Sequence, residues 1–302
     1  QVFQAVFTSI ERVKIVTVIT TTALLLNIFL NAVFIFGLFG VPKMGIVGGG
    51  VATTISRVIE MIFCIIYAYR QKDVKFRLSN MFRFNHLLTK DFIKFSLPAL
   101  GNELVWGAGF SMYSVILGHL GEDIVAANSV VNVVRNLVTV LCFGMAYGGA
   151  VVLGKSMGAG EMELAERNAR RLVKSTIGAG VFAGLLLLCL KPVLPYMAQL
   201  SETACNYRNI LLYINCFSVV GAATNTVLIC GVFRAGGDAK FGFIMDIIAM
   251  WVVSVPLGLI SAFVLKLTSL AVYLILYLDE FEKMPVVFIH YFKKGLLRNI
   301  TR

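Results

Sequence analysis

Residues 124–152 read IVAANSVVNVVRNLVTVLCFGMAYGGAVV, an apolar run that holds a single charged side chain, Arg135. At about 1.5 Å per residue, a helix of this length exceeds the roughly 30 Å of hydrocarbon in a bilayer. A soluble helix buries one stripe and keeps a charged face. This run has no charged face, so it reads as a membrane span, and the rest of the chain repeats the pattern. Of 302 residues, 58% are hydrophobic and 14% are charged, with a mean hydropathy of +0.84. Soluble domains are about 25% charged, so the composition argues against a soluble globular protein.

Working outward, eight runs of membrane-spanning length can be placed at about 15–37, 46–69, 93–117, 124–152, 172–197, 207–233, 241–265 and 268–292. Lipid offers no partner to a backbone amide, so runs of this length must be helices. The expected fold class is therefore all-α, a polytopic membrane protein with antiparallel neighbours joined by short loops. Eight spans place both ends and every second loop on one side. Of the 27 basic residues, 20 fall on that side, 4 on the other and 3 within spans. Basic loops are retained in the cytoplasm, so both ends are expected there. The net charge of +11 then needs no nucleic acid to explain it.

The longest polar stretch, 70–94, carries seven basic and two acidic residues. It reads as a cytoplasmic linker whose cations could also touch anionic lipid. The expected division is 1–70, two helices ending a first lobe; 71–90, a basic inter-lobe linker; and 91–302, a six-helix lobe. A shift of 226 residues lays VFTSIERVK (6–14) over VFRAGGDAK (232–240), as expected of transporters built from repeated halves. The chain opens QVFQAVF without an initiator Met, which together with the repeat suggests a fragment lacking its first helices.

Several motifs resolve into structural readings. Gly149 to Ser156 matches GxxxxGK[ST], but it ends an apolar span instead of following a strand, so no phosphate loop is expected. Asn299-Ile-Thr301 fits a glycosylation acceptor, on the side expected to be cytoplasmic. The six cysteines show no CxxC spacing and read as small buried hydrophobes. His86, His119 and His290 lie in loops or near span ends with no nucleophile or carboxylate at motif spacing, so neither metal site nor enzyme is expected. Gly144/Gly148, Gly154/Gly158 and Gly180/Gly184 are four apart, a pattern that lets helices pack closely.

Charges within spans are costly unless paired or facing a cavity. Glu103 and Arg135 both reach about 15 Å into consecutive helices; they could form a buried salt bridge, or Glu103 could exchange a proton or cation. Arg57 and Glu60, at i,i+3, can pair along one helix. Asp246, near the cytoplasmic end of its span, could cap or snorkel. Asp279 and Glu280 lie near mid-depth in the last span, where Lys283 can neutralise only one acid. Asn27 and Asn31 share a face of the first span, with Thr53 and Thr54 at similar depth on the second; these oxygens could hold a cation or bond helix to helix.

Four stretches carry a family resemblance: LNIFLNAVFIFG (26–37) with MGIVGGGVATTISR (44–57); FSLPALGNELVWGAGFSMYSVILGHLG (95–121); the run from Ile124 through GKSMGAGEMELA (154–165); and FRAGGDAKF (233–241). Together they resemble the MATE (multidrug and toxic-compound extrusion) family. The resemblance implies a twelve-helix, two-lobe fold, of which this chain would hold the last two helices of the first lobe and a second lobe from about residue 91. It also implies antiport by alternating access. Influx of protons or sodium ions would drive export of amphipathic or cationic compounds, with no cofactor, by a monomer in the bacterial inner membrane.

By position, the family's first-lobe cation site falls on Asn27, Asn31 and Thr53, with an amide at Asn31 where the family has a carboxylate. In the second lobe, the family glutamate eight residues after the span-opening proline falls on Trp106, while Glu103 is five after Pro98. The family aspartate of the sixth span falls on Ala223, with Asn225 the nearest polar group. As the lone acid of its span, at mid-depth, Glu103 is the leading coupling candidate, with Asn225, Asp279, Glu280 and Arg135 beside it. Two alternatives remain. A flippase of the same superfamily would move a lipid-linked precursor, but its pyrophosphate calls for several cations, and only Arg57, Arg135 and Lys283 lie within spans. A non-transporting scaffold would gain nothing from buried acids.

Overall fold

The computed structural model describes residues 2–10, 12–70 and 86–292. Residues 71–85 of the expected linker and Asn299 lie outside the described residues. The chain separates into two compact units, Gln1–His86 and Leu87–Arg302, and the described residues contain no strand.

The first unit comprises α1 (Val2–Ser9), α2 (Val13–Phe36) and α3 (Gly45–Arg70). Helix α2 stops at Gly37, whose φ of +75° is open to glycine and whose amide donates to the Val33 carbonyl. A Cβ at this position would lie 3.0 Å from the Val41 carbonyl oxygen, so the turn leaves no room for one. Arg57 and Glu60 form the expected intrahelical pair at 2.7 Å. Glu60 also accepts a hydrogen bond from Gln4 of α1.

The second unit begins with α4 (His86–His119), α5 (Glu122–Gly158) and α6 (Met162–Cys189). The phosphate-loop look-alike is part of the unbroken α5, where helical hydrogen bonding occupies its amides. Helix α7 (Glu202–Thr226) starts under a cap in which Ser201 Oγ accepts from the Ala204 amide, and it widens into π-helical turns over Val227–Phe233. Helix α8 (Ala239–Asp246) runs through a π-helical stretch, Ile247–Ser254, into α9 (Val255–Leu259) and a further one at Ile260–Val264. The last span is divided at Leu278 into α10 (Ser269–Tyr277) and α11 (Asp279–Tyr291).

Among the described residues, six helical runs are long and apolar enough to cross a membrane: Val13–Phe36, Gly45–Arg70, Glu122–Gly158, Met162–Met197, Glu202–Phe233 and Ala239–Val264. The other two expected spans are helical but differ. Polar residues recur along α4, from Lys90 and Asp91 through Asn102, Glu103, Ser111 and Ser114, and the charges of Asp279 to Lys283 follow the break between α10 and α11. Side chains such as Leu137, Val140 and Phe217 are more than 60% exposed, which suits a lipid-facing wall and not a water-facing one. The protein is a multi-pass membrane protein.

Inside the second unit, Tyr113, Ile116 and Leu117 of α4 pack on Val272, Tyr273 and Leu276 of α10. Ala183 and Leu187 of α6 meet Leu212 and Val219 of α7. Close packing at the glycine pairs holds for one pair only: a Cβ on Gly184 would come 2.7 Å from the Cys216 carbonyl, and one on Gly180 3.2 Å from Val220 Cα. Gly144, Gly148 and Gly154 face open space, because spacing fixes a common helix face but not whether a neighbour stands against it. The cysteines also divide. Cys64, Cys142 and Cys216 are buried, while Cys189, at the end of α6, is exposed.

Candidate functional site

Helix α11 starts with three acids, Asp279, Glu280 and Glu282, at the end where unpaired amides and the helix dipole favour negative charge. One turn on, Lys283 shares a face with the first two at i,i+4 and i,i+3. Its ammonium is 3.8 Å from Asp279 and 3.6 Å from Glu280. The sequence anticipated that one lysine cannot neutralise two acids, and the structure adds a third acid. Asp246, the last residue of α8, reaches Lys283 at 3.2 Å, with both side chains all but withdrawn from the surface.

Asp246 was expected to cap or snorkel near the membrane face, and it does neither. It is 4% exposed, held by Lys283 from one side and by the Asn102 amide of α4 from the other. Span-end arithmetic gave its depth but not its azimuth, and that azimuth points into the bundle. Asn225 of α7 completes the ring. Its Nδ2 donates to the Glu280 carbonyl at 2.6 Å and the Glu280 carboxylate at 2.8 Å, while its buried Oδ1 has no partner among the described residues. A cavity of about 50 Å³ opens between Asn102, Glu103, Asn225, Asp246, Glu280 and Lys283.

Of the two readings of Glu103, the salt bridge to Arg135 is not made. Glu103 pairs with Arg234 at 3.0 Å, and its side chain is 52% exposed. Arg234 also donates to Asn102 Oδ1 at 3.3 Å, linking this pair to Asp246 through one amide. Arg135 meets α4 at Phe110, seven residues beyond Glu103, or about 10 Å along the helix axis. Depth counted from span ends put the two side chains level; the register between α4 and α5 separates them. Arg234, counted in the sequence with the cytoplasmic bases, is the true partner.

Arg135 is 8% exposed and lies over two rings, 5.9 Å from the Phe110 centroid and 5.2 Å from that of Tyr277. Its buried Nε has no hydrogen-bond partner among the described residues. It lines a second cavity of about 190 Å³ together with Trp106, Phe110, Asn132, Asn136 and Glu280.

In the first unit, Asn31 donates to Asn27 at 3.1 Å, and Asn27 donates to Ser56 at 3.1 Å and Thr53 at 3.4 Å. These residues meet as a polar seam between α2 and α3. Thr54, expected at the same level, bonds back to Gly50 on its own helix.

Sequence reasoning missed Asn102, Arg234 and the role of Asp246. The signal available for Asp246 was a carboxylate in an otherwise apolar run. A second missed contact joins His290 to Asp238 at 2.7 Å, with the imidazole stacked 3.7 Å from the Phe241 ring. Spacing could not reveal a pair that lies 52 residues apart.

Residues 98–260, more than half of the chain and running from Pro98 within α4 to just past the end of α9, match the model of the MatE family. The chain belongs to the MatE family. MatE relatives include an uncharacterized transporter, YisQ, of Bacillus subtilis, 25% identical over 85% of this chain and 56% of that protein. A probable multidrug resistance protein, NorM, of Mannheimia succiniciproducens is 28% identical over the same shares. The chain spans about half the length of these curated relatives. A mutant of the Vibrio cholerae MATE transporter VcmN shares the fold with a TM-score of 0.80 and 18% identity, over 98% of this chain and 66% of that one. The MatE family is thus one of transporters, not of enzymes.

Proposed function

We propose that the chain is part of a secondary active exporter that antiports amphipathic or cationic compounds against protons or sodium ions by alternating access. The working form is a monomer in a bacterial inner membrane, in contact with lipid, with both ends of this chain in the cytoplasm and no cofactor.

The observation that carries this reading is the imbalance around Lys283. Asp246, Asp279 and Glu280 surround one ammonium. Even with the nearby guanidinium of Arg135 counted, the ionised group sums to one negative charge. A buried charge without a counter-charge costs several kcal/mol, and a bound cation removes that cost. The cation therefore shifts the equilibrium between conformations that bury and open the cluster, which is what coupling requires. Lys283 occupies the point on which the acids converge, an arrangement that favours a proton on one carboxylate over a sodium ion shared among them. The flippase alternative is less well supported, because Lys283 and Arg234 are already engaged by acids.

The test uses the full-length gene in everted vesicles, following a fluorescent cationic dye under imposed proton or sodium gradients. Wild type is expected to accumulate dye under one gradient. Asp246→Asn, expressed to the same level, is expected to lose gradient-driven transport while keeping dye binding. Wild-type vesicles that move no dye under either gradient would overturn the exporter reading.

A further inference from the structure

Arg135 is a buried cation outside the ion pairs of the acid cluster. No carboxylate lies within ion-pair distance of it among the described residues, and its Nε is buried without a hydrogen bond. Two aromatic faces lie against the guanidinium, but rings offer its N–H groups no carboxylate-like acceptor, and its hydrogen-bonding edge is left free among the described residues. The side chain opens onto a cavity of about 190 Å³ whose wall is part aromatic, from Trp106 and Phe110, and part amide, from Asn132 and Asn136. We infer that this cavity is a binding site for a small aromatic carboxylate, its ring beside Trp106 and Phe110 and its carboxylate on the Arg135 guanidinium.

The chemistry of each part fits. A guanidinium presents a planar fork that matches a carboxylate with two parallel hydrogen bonds. The asparagines sit at i−3 and i+1 of Arg135, where their amide groups can donate to the outer carboxylate oxygen. An apolar cavity of about 150 Å³ is known to admit benzene, so this one has room for a single substituted ring. Glu280 also reaches the wall, yet its carboxylate is turned to Asn225 and Lys283, which leaves the Arg135 end the positive one. The binding claim stands on this geometry alone; only its consequence, export of such anions, rests on the exporter reading.

The probe is radiolabelled benzoate, measured for equilibrium binding to the purified full-length protein in detergent with no ion gradient. Wild type is expected to bind it saturably, with unlabelled benzoate competing and the isosteric neutral benzamide and cationic benzylamine competing at least tenfold more weakly. Arg135→Gln should weaken benzoate at least tenfold, and Arg135→Lys, which keeps the charge but not the fork, should fall between. Benzamide competing as well as benzoate would overturn the proposal, as would Arg135→Gln binding benzoate like wild type. The competition series uses only wild type, so it decides the matter even if the variant fails to fold. Dye export lost with benzoate binding intact would sink the exporter reading alone; export intact without benzoate binding would sink this inference alone.

Discussion

A single ammonium organises the second unit. Replacing Lys283 by methionine would leave three buried carboxylates without their counter-charge, a change that typically costs about 3–5 kcal/mol. Thermal unfolding in detergent should show a clear loss for Lys283→Met and a partial return when Asp246→Asn is added, since the second change removes one of the stranded charges. Glu103→Gln should behave differently. Its partner Arg234 is within reach, but the side chain is half exposed, and such pairs are worth about 0–1 kcal/mol. The melting temperature of that variant is expected to stay within a few degrees of wild type. The sequence singled out Glu103 because it is the lone acid of its span, a criterion that finds charge but not burial. Asp246, also alone among apolar neighbours, reads as a cap or snorkel because it lies near a span end, and its burial is what position in the span does not show.

Helix contacts follow from faces, and faces from spacing, but a face acquires meaning only when something stands against it. Gly184 lies under the Cys216 carbonyl of α7, so Gly184→Val should force the helices apart at a cost of about 1–3 kcal/mol. Gly144 shares the same four-residue pattern and has open space above it. There, alanine should be neutral or stabilising by about 0.5–1 kcal/mol through helix propensity. Melting curves of the two variants, taken side by side, check both expectations. Existence and order of the helices were legible because about 20 apolar residues in a row admit no other structure in lipid. The π-helical turns after Thr226 and Asp246 were not, since a widened turn leaves no mark on composition. The first matters because Arg234 follows it directly, and an altered pitch rotates every side chain that comes after.

At the scale of the whole molecule, the charge asymmetry that places the loops also makes a topological prediction. In a background without the six native cysteines, Lys155→Cys should be labelled by a membrane-impermeant maleimide only after cells are opened, and Lys191→Cys in intact spheroplasts. The reverse pattern would invert the orientation proposed here. Membership of the MatE family was legible in four stretches spread along the chain, whereas the candidate site was legible only in parts. Asn225, Asp279, Glu280 and Arg135 were found as polar residues in apolar spans, but their partners lie on helices far away in sequence, and periodicity says nothing about which helices meet. The divided last span bears on how the protein is made. A segment carrying Asp279, Glu280, Glu282 and Lys283 incurs about 2.5–3.5 kcal/mol for each charge near the bilayer centre during translocon insertion, so α11 partitions poorly by itself. Asp246 and Asn225 precede it in the chain, already in place when it leaves the ribosome. Biogenesis is therefore sequential at this point: α11 enters the membrane onto a template formed by earlier helices, and a variant lacking both Asp246 and Asn225 should yield less inserted protein than Asp246→Asn alone.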